Sequence, residues 1–272
     1  MKIALLTLEA LASARAVRRF VLADPGRIAL IGLSDPFRPS TGGATGQALR
    51  HVRRSGPGFL PYLVVNFSIS RWVGPLVRRA RREAEAQPLA ALARGLGVPA
   101  ARVDDVNGEA FRRRLAESGA DILLTFHFDQ ILSAETLAAV PLGGLNVHPS
   151  LLPRHRGPTP TLHALLDAEP AFGVTVHRLS PRIDAGAIVA QAHIALPAGI
   201  SALGAARALH EAAAPLIETA LAAASKGAAP AQQAASAPYQ SFPTAIDLKR
   251  IKALGRKTVD WRDVGAAFAT AM

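Results

Sequence analysis

The sequence contains no cysteine, and this absence excludes several kinds of site. A disulfide framework, a thiol nucleophile and cysteine-ligated zinc or iron–sulfur centres all require that side chain. The lack of cysteine is also compatible with the cytoplasmic location that we expect. Histidines are present, but several of them lack the spacing typical of metal ligands, so we predict no metal site: His163, His177, His193 and His210.

Aromatic side chains and long hydrophobic runs are also scarce. Phe, Trp and Tyr make up 5% of the residues. No stretch reaches the roughly 20 uninterrupted apolar residues that a membrane-spanning helix needs. Glu9 interrupts the apolar start of the chain, which therefore resembles a first strand over residues 2–7 more than a signal peptide. The sequence predicts no membrane span.

The charge of the chain is strongly unbalanced. Lysine and arginine number 31 against 20 acidic residues, which gives a formal net charge of +11. A basic surface favours anionic partners such as phosphorylated metabolites, polyglutamylated cofactors or RNA. A generic arginine-rich surface explains the same count, and the two interpretations stay open. Half of the 272 residues are hydrophobic, which is enough for a sizeable core.

Strand-like and helix-like segments alternate along the chain. Strands over residues 2–7 and 27–33 flank a helix over 9–22, which implies a parallel sheet with a right-handed crossover. The turn TLEALAS after the first strand has no glycine, so the GxGxxG loop of dinucleotide-binding enzymes is absent. Further strands are predicted at 98–103, 121–126, 145–148, 172–179 and 188–196, and helices at 59–86, 88–96, 108–118, 134–140, 161–168, 201–226, 244–254 and 261–270. Asn107 and Ser133 are predicted N-caps.

These elements predict one main domain and a short extension. The domain covers residues 1–226 and includes an atypical insert at 34–83, in which we expect a loop with one short helix followed by mainly helix. The apolar half of the insert, FLPYLVVNF, could instead hold a strand. A linker over 227–238 begins the extension 227–272. The insert could cover a pocket, contact another subunit or meet a membrane surface, so the oligomeric state stays open.

The segment GLNVHPSLLPRHRGPTP, residues 144–160, is the most informative part of the sequence. Asn146 and His148 lie two apart on a predicted strand, so their side chains face the same side. They precede a proline-rich loop at the carboxyl end of the strand, where open α/β sheets bind ligands. An amide beside an imidazole can stabilise an oxyanion and move a proton. The alternative is an ordinary strand end with a hydrogen-bonded histidine.

Three segments together resemble the folate-dependent formyltransferases, a family that includes glycinamide ribonucleotide transformylase, methionyl-tRNA formyltransferase and sugar-nucleotide N-formyltransferases. LNVHPSLLPRHRG resembles the family signature, and GVTVHRLSPRIDAGAIVAQ resembles its strand–turn–strand with Asp-x-Gly at the turn. DILLTFHFDQIL resembles the strand and loop that line the folate pocket. The resemblance implies a Rossmann-like α/β fold: a mostly parallel twisted sheet with helices on both faces and a small helical C-terminal tail.

The resemblance also implies an activity and a catalytic centre. The expected reaction transfers a formyl group from 10-formyltetrahydrofolate to a primary amine of a small acceptor, phosphorylated or an amino sugar. Asn146 and His148 would hold the oxyanion that forms when the amine attacks. Asp184 would pair with His148 and keep it protonated or correctly oriented, since a nearby carboxylate raises a histidine pKa. The alternative for Asp184 is a plain turn residue before Gly186.

Further positions match the binding elements of the family. The folate-binding residues implied in this way are Phe126, Phe128, Gln130, Ile131, Leu132, Ser150, Leu151, Leu152 and Pro153. Arg154, His155 and Arg156 are candidates for binding a phosphate or carboxylate of the substrate, although a solvated loop explains them equally well. His127 could face the substrate or be structural.

Three other functions remain open at this point. The chain is too short after residue 200 for the tRNA-binding domain of methionyl-tRNA formyltransferase, which disfavours tRNA, although the net charge keeps it under consideration. The same Asn, His and Asp could direct water in a 10-formyltetrahydrofolate hydrolase. A non-catalytic relative that binds folate is a third alternative, against which the intact catalytic positions argue.

Overall fold

A computed structural model describes residues 1–39, 42–80, 83–227, 237–270 and 272, except for the side chain of Arg78. Residues 228–236 of the predicted linker 227–238 lie outside the described residues.

The described residues build a seven-stranded sheet in the order β3-β2-β1-β4-β5-β6-β7. The first five strands in this order run parallel, whereas β6 is antiparallel to both β5 and β7. The mostly parallel α/β sheet expected from the sequence is therefore confirmed. The strands are β1 Ile3–Leu8, β2 Ile28–Ser34, β3 Ala100–Arg102, β4 Ile122–Phe126, β5 Gly144–His148, β6 Gly173–Arg178 and β7 Ile188–His193.

Helices account for most of the remaining described chain. In chain order they are α1 Leu11–Ala23, α2 Gly43–Ser55, α3 Leu60–Leu63, α4 Ile69–Ala80, α5 Leu89–Gly95, α6 Glu109–Glu117, α7 Ala134–Leu137, α8 Pro160–Ala164, α9 Ala202–Ala212, α10 Ala214–Ser225, α11 Ala245–Ala253 and α12 Trp261–Phe268. No helix among the described residues is both long enough and apolar enough to cross a membrane.

The sheet is buried between two layers of helices. Ile3 and Leu5 of β1 belong to one core cluster, to which α1, α5, α9 and α10 contribute. Ala4 and Leu6 belong to a second cluster on the other face, with α6 and α7. Because successive side chains of a strand point to opposite faces, coverage on both faces explains why this strand is apolar throughout.

The insert is helical over most of its described length. Its first part forms the 13-residue α2, which is longer than the short helix expected there. The apolar half does not form a strand: α3, a π-helical turn at Val64–Ser68 and α4 follow one another directly. π-Helical turns commonly occur near functional sites, and this one places Asn66 and Phe67 close to the carboxyl ends of the strands.

Two predictions about the helices were wrong, one about an N-cap and one about the extent of a helix. The N-cap of α6 is Gly108, not Asn107. The Asn107 side chain instead donates to the carbonyl of Ile131 and accepts from Ser133 N–H, which fastens the loop after β4. The predicted helix 201–226 is two helices, because Pro215 lacks an N–H and fits the first turn of a new helix. The Ser133 cap is confirmed by its bond from Thr136 N–H.

The C-terminal extension packs against the insert. Capping boxes at Thr244 and Asp260 start α11 and α12. The Ser70 hydroxyl of α4 donates to the carbonyl of Ala267 in α12. Phe59 and Tyr62 of the insert share one hydrophobic cluster with Ile251 and Ala267 of the extension and with residues of α8 and α9. Insert and extension therefore pack together and against α8 and α9.

Candidate active site

A cavity of about 370 Å³ opens at the carboxyl ends of β4 and β5, and we call it the site cavity. Asn146 and His148 reach it from β5, and Asp184 reaches it from the loop between β6 and β7. The predicted Asn-x-His spacing and the Asp-x-Gly turn thus meet at one place, although more than 30 residues separate them.

The amide of Asn146 is held in one orientation. Its oxygen accepts from the Thr125 hydroxyl at 2.6 Å, so its nitrogen faces the other way. The ring of His177 donates through Nδ1 to the Arg178 carbonyl, which leaves Nε2 to accept from the Asn146 amide at 3.0 Å. The contact from that amide nitrogen to Asp184 is longer, at 3.4 Å. One amide N–H is thus firmly held and the other only loosely.

The ring of His148 is also fixed at one nitrogen. Nε2 lies 3.0 Å from the carbonyl oxygen of His155 and therefore donates to it. In the neutral ring this leaves Nδ1 as the acceptor. Nδ1 lies 3.6 Å from Oδ1 of Asp184, so a proton that arrives on Nδ1 would meet a carboxylate.

Backbone geometry accounts for the Asp-x-Gly turn. Asp184 has a φ of 47°, a left-handed conformation that Asp tolerates better than most residues. A side chain at Gly186 would collide with the carbonyl oxygen of Arg178, so only glycine allows this close approach. The N–H of Gly157 donates to the second Asp184 oxygen at 2.8 Å. The carboxylate is therefore held from two sides.

Burial determines the charge states of this group. It lowers the pKa of His148 below its ordinary value, and the opposing effect of Asp184 does not overcome this. Burial opposes ionisation of Asp184 too, but His148, His177 and the Gly157 N–H outweigh it and lower the pKa of Asp184 to about 2. At neutral pH an ionised carboxylate thus faces a neutral imidazole, and Asp184 does not keep His148 charged.

His177 was not among the site residues predicted from the sequence. It is 2% exposed, and its Nε2 lies 3.6 Å from the Asp184 carboxylate as well as beside Asn146. The available signal was its position in GVTVH on β6, which pairs directly with Asn146 across the antiparallel strands. Neighbouring positions on paired strands bring side chains together.

Four of the predicted folate-binding residues line the site cavity, namely Phe128, Gln130, Ile131 and Leu132. The side chain of Gln130 is used to hold the loop, since it donates to the Val103 carbonyl and accepts from Val106 N–H. Phe126 points elsewhere: it is 1% exposed and its ring packs 6.1 Å from that of Phe20 in the core.

The middle part of the proline-rich loop does not contribute to the cavity wall. Ser150, Leu151, Leu152 and Pro153 are not among the described residues that line the cavity. The Ser150 hydroxyl donates to the Arg154 carbonyl. The N–H of Leu152 donates to the Thr175 hydroxyl of β6. This part of the loop thus anchors the chain that carries His148.

The basic run after this loop is bound to other parts of the protein. Arg154 and the imidazole of His155 both contact the Asp167 carboxylate, at 2.6 and 2.9 Å. Arg156 is 7% exposed and donates to the carbonyls of Ile183 and Ala237. Within the described structure these three side chains do not line the cavity, and their contacts hold loops together.

The family of this chain follows from its similarity to known proteins. A family model described as formyl transferase matches residues 73–221, more than half of the chain. The chain belongs to the formyl transferase family. This confirms the family and the enzyme class expected from the sequence.

Solved structures support the fold of this formyl transferase. Glycinamide ribonucleotide transformylase 1 from Symbiobacterium toebii matches with a TM-score of 0.55 and 18% identity, covering 84% of this chain and 88% of that one. A sugar N-formyltransferase from a Shewanella species matches with a TM-score of 0.55 and 14% identity, covering 98% and 87%. An N-formyltransferase from Helicobacter canadensis, in complex with folinic acid and dTDP-3-aminofucose, matches with a TM-score of 0.54 and 13% identity, covering 89% and 71%.

The C-terminal extension of this formyl transferase contributes to the cavity wall, which the sequence did not predict. Tyr239 and Phe242 line the cavity. The Gln240 N–H donates to the Arg156 carbonyl at 2.8 Å. A side chain at Gly157 would collide with the Gln240 carbonyl, so the extension passes directly over the loop that holds Asp184.

Two further histidines line the cavity at the start of α1. The rings of His127 and His210 stack with their centres 5.9 Å apart. Burial lowers the pKa of His127 to about 3. It lowers the pKa of His210 to about 4, against the opposing effects of its bond to the Ala206 carbonyl and of the main chain of Ala12. Both rings are neutral at neutral pH. The described residues contain no cluster of side chains suited to hold a metal ion.

These two histidines predict how stability depends on pH. In the unfolded chain they titrate near the ordinary value of 6.5, but in the folded protein only near pH 3 and 4. Between these values the unfolded state binds more protons, so the free energy of unfolding falls as the pH falls below 6.5. The decline is about 1.4 kcal/mol per pH unit for each histidine.

Thermal unfolding at a series of pH values from neutral to acidic tests this expectation. His127→Asn should show a shallower decline than the unchanged protein, because asparagine accepts the φ of 46° at this position and does not titrate. Identical pH slopes for the two proteins would contradict the assignment of neutral, buried rings.

Proposed function

We propose that this protein transfers the formyl group of 10-formyltetrahydrofolate to the amine of a small acceptor bound in the site cavity. The supporting observation is the convergence of Asn146, His148 and Asp184 on one cavity, with an oriented amide, a neutral imidazole and an ionised carboxylate.

The wall of the site cavity fits a folate. Phe128 and Leu132 present apolar surface, and Ile131 is 54% exposed at the mouth. Flat heteroaromatic rings bind between such side chains while main-chain groups meet their polar edge. These residues would hold the cofactor, which when bound supplies an electrophilic formyl carbon.

Asn146 would stabilise the formyl oxygen as negative charge develops on it. The Thr125 hydroxyl fixes the amide so that its N–H groups face the cavity side. One N–H is held by His177, and the other makes only the 3.4 Å contact with Asp184. This second N–H, which is held only loosely, is the donor left for an oxygen in the cavity. A preoriented donor of this kind contributes without a large reorganisation.

His148 would accept the proton that the attacking amine loses. Its Nε2 is committed to the His155 carbonyl, so the accepting atom is Nδ1. Its lowered pKa keeps the ring neutral and ready to accept at neutral pH. Asp184, 3.6 Å from Nδ1, stabilises the imidazolium that results. The imidazolium would then return the proton to the folate nitrogen as the bond between that nitrogen and the formyl carbon breaks. Once the rate is corrected for the fraction of unprotonated acceptor amine, the contribution of His148 should therefore persist on the acid side of pH 6.5.

The formation of tetrahydrofolate from 10-formyltetrahydrofolate, followed by absorbance with and without added amines, tests this proposal. The panel should include amino-sugar nucleotides and simple hydroxylated amines, with matched blanks that lack the protein. Release that depends on an amine is expected. Release at the same rate without any amine would contradict transfer and indicate hydrolysis, whereas no release with any acceptor would contradict both.

A further inference from the structure

Two histidines that the proposed chemistry does not use present unsatisfied nitrogen atoms beside the catalytic group. His210 is 3% exposed, and its Nε2 has no hydrogen-bond partner among the described residues. The same holds for Nδ1 of His127. Leaving a buried polar atom without a partner costs about 1–3 kcal/mol. Both residues line the site cavity, which makes a ligand bound there a candidate partner.

The hydrogen bonding of His210 shows which kind of ligand group fits. Its Nδ1 lies 2.7 Å from the Ala206 carbonyl and therefore carries the proton. In the neutral ring Nε2 is then an acceptor. A ligand must bring an O–H or N–H group to it, and an anionic oxygen would be repelled by the lone pair.

The surroundings also disfavour an anionic ligand at this end of the cavity. The positive end of α1, where anions commonly bind, is already occupied: the Asn66 oxygen of the insert accepts from Ala12 N–H at 2.9 Å. Among the described residues that line the cavity, only Arg182 carries a guanidinium or ammonium group, and Arg182 is exposed. Arg154 and Arg156 bind other parts of the protein.

The insert contacts one of the two histidines. Phe67, next to Asn66 in the π-helical turn, lies with its ring 6.0 Å from that of His127. His127 in turn stacks on His210. The insert, which the family resemblance did not explain, thus packs directly on His127, one ring of the stacked pair.

We propose that His127 and His210, with Phe67 packed against His127, form a subsite that binds an uncharged hydroxyl group of the amine acceptor. The inference rests on the proposed function in one respect, namely that the acceptor amine enters the same cavity. It assigns the insert to acceptor recognition, and it favours hydroxylated amines over amines with a phosphate next to the reacting nitrogen.

Nuclear magnetic resonance of the full chain labelled with ¹⁵N-histidine tests the subsite directly. The probe is serinol, and its matched control is isopropylamine, which has the same carbon skeleton without hydroxyl groups. We expect serinol to shift the ring signals of His127 and His210 and to bind at least about tenfold more tightly than isopropylamine, since one satisfied buried acceptor is worth about that factor.

A pair of variants separates this subsite from a general effect of the amine. His210→Phe keeps a flat ring but removes the acceptor, so its affinity for serinol should fall about tenfold, to the level of isopropylamine. His193→Phe, at an exposed position of β7, should leave serinol binding unchanged. Equal affinity for the two amines, no shift with serinol, or unchanged binding by His210→Phe would overturn the proposal.

The two proposals fail in distinguishable ways. If serinol binds as expected but no amine is formylated by the protein, the transfer proposal is wrong and the subsite stands. If formyl transfer is observed while serinol and isopropylamine bind equally, the catalytic assignment stands and the hydroxyl subsite is wrong.

Discussion

Replacing His148 by alanine is expected to lower kcat/KM for formyl transfer by about 10²–10⁴-fold, the range typical for loss of a general base. The physical reason is that Nδ1 of this ring lies where it can accept the amine proton while Asp184 stabilises the resulting charge. Steady-state kinetics with a saturating folate donor and a varied amine measures the effect.

Asn146→Ala provides the companion measurement, with an expected loss of about 10²–10³-fold for one oxyanion donor. Because the two residues act on the same step, the double variant should lose less than the product of the single effects. Unfolding temperatures close to that of the unchanged protein would show that the fold is intact. Activity within a few-fold of normal in both single variants would contradict the assigned roles.

Replacing Arg18 by methionine is expected to lower the free energy of unfolding by about 3–5 kcal/mol, the range for breaking a buried ion pair. Arg18 is 1% exposed and its guanidinium lies 2.7 Å from the Glu9 carboxylate. The same side chain donates to the Gln87 carbonyl. It thus joins α1 to the segment before α5, and its loss leaves Glu9 partly buried without its cation.

The neighbouring Arg19 supplies the control for this measurement. Its side chain is 47% exposed and pairs with Glu85 at the surface, where such pairs contribute about 0–1 kcal/mol. Chemical denaturation of Arg19→Met should therefore show a small change. Equal losses in the two variants would indicate that burial of the Arg18 pair is not what stabilises this region.

The sequence predicted the part of the site that follows from local patterns. The two-residue spacing of Asn146 and His148 follows from strand alternation, and the turn at Asp184 and Gly186 follows from its residue types, whereas the role of Asp184 in the site was implied only by the family resemblance. The mostly parallel order of the sheet likewise follows from alternating strands and helices. Each of these inferences needs only a few neighbouring residues.

Other features depend on contacts between distant segments, which local patterns do not contain. Arg156 is of a residue type that often binds anionic ligands, but its guanidinium donates to the carbonyls of Ile183 and Ala237 instead. His177 reaches the site only because β6 pairs antiparallel with β5. Tyr239 enters the wall because the C-terminal extension crosses the loop at Gly157.

The fate of the formyl carbon tests the central claim most directly. The protein would be incubated with 10-formyltetrahydrofolate labelled with ¹³C in the formyl group and with an amine that supports turnover, and the products followed by nuclear magnetic resonance. The account predicts that the label appears as an N-formyl amide of the acceptor and that His148→Ala abolishes this signal. Label found only as free formate, at a rate unaffected by the amine, would contradict it.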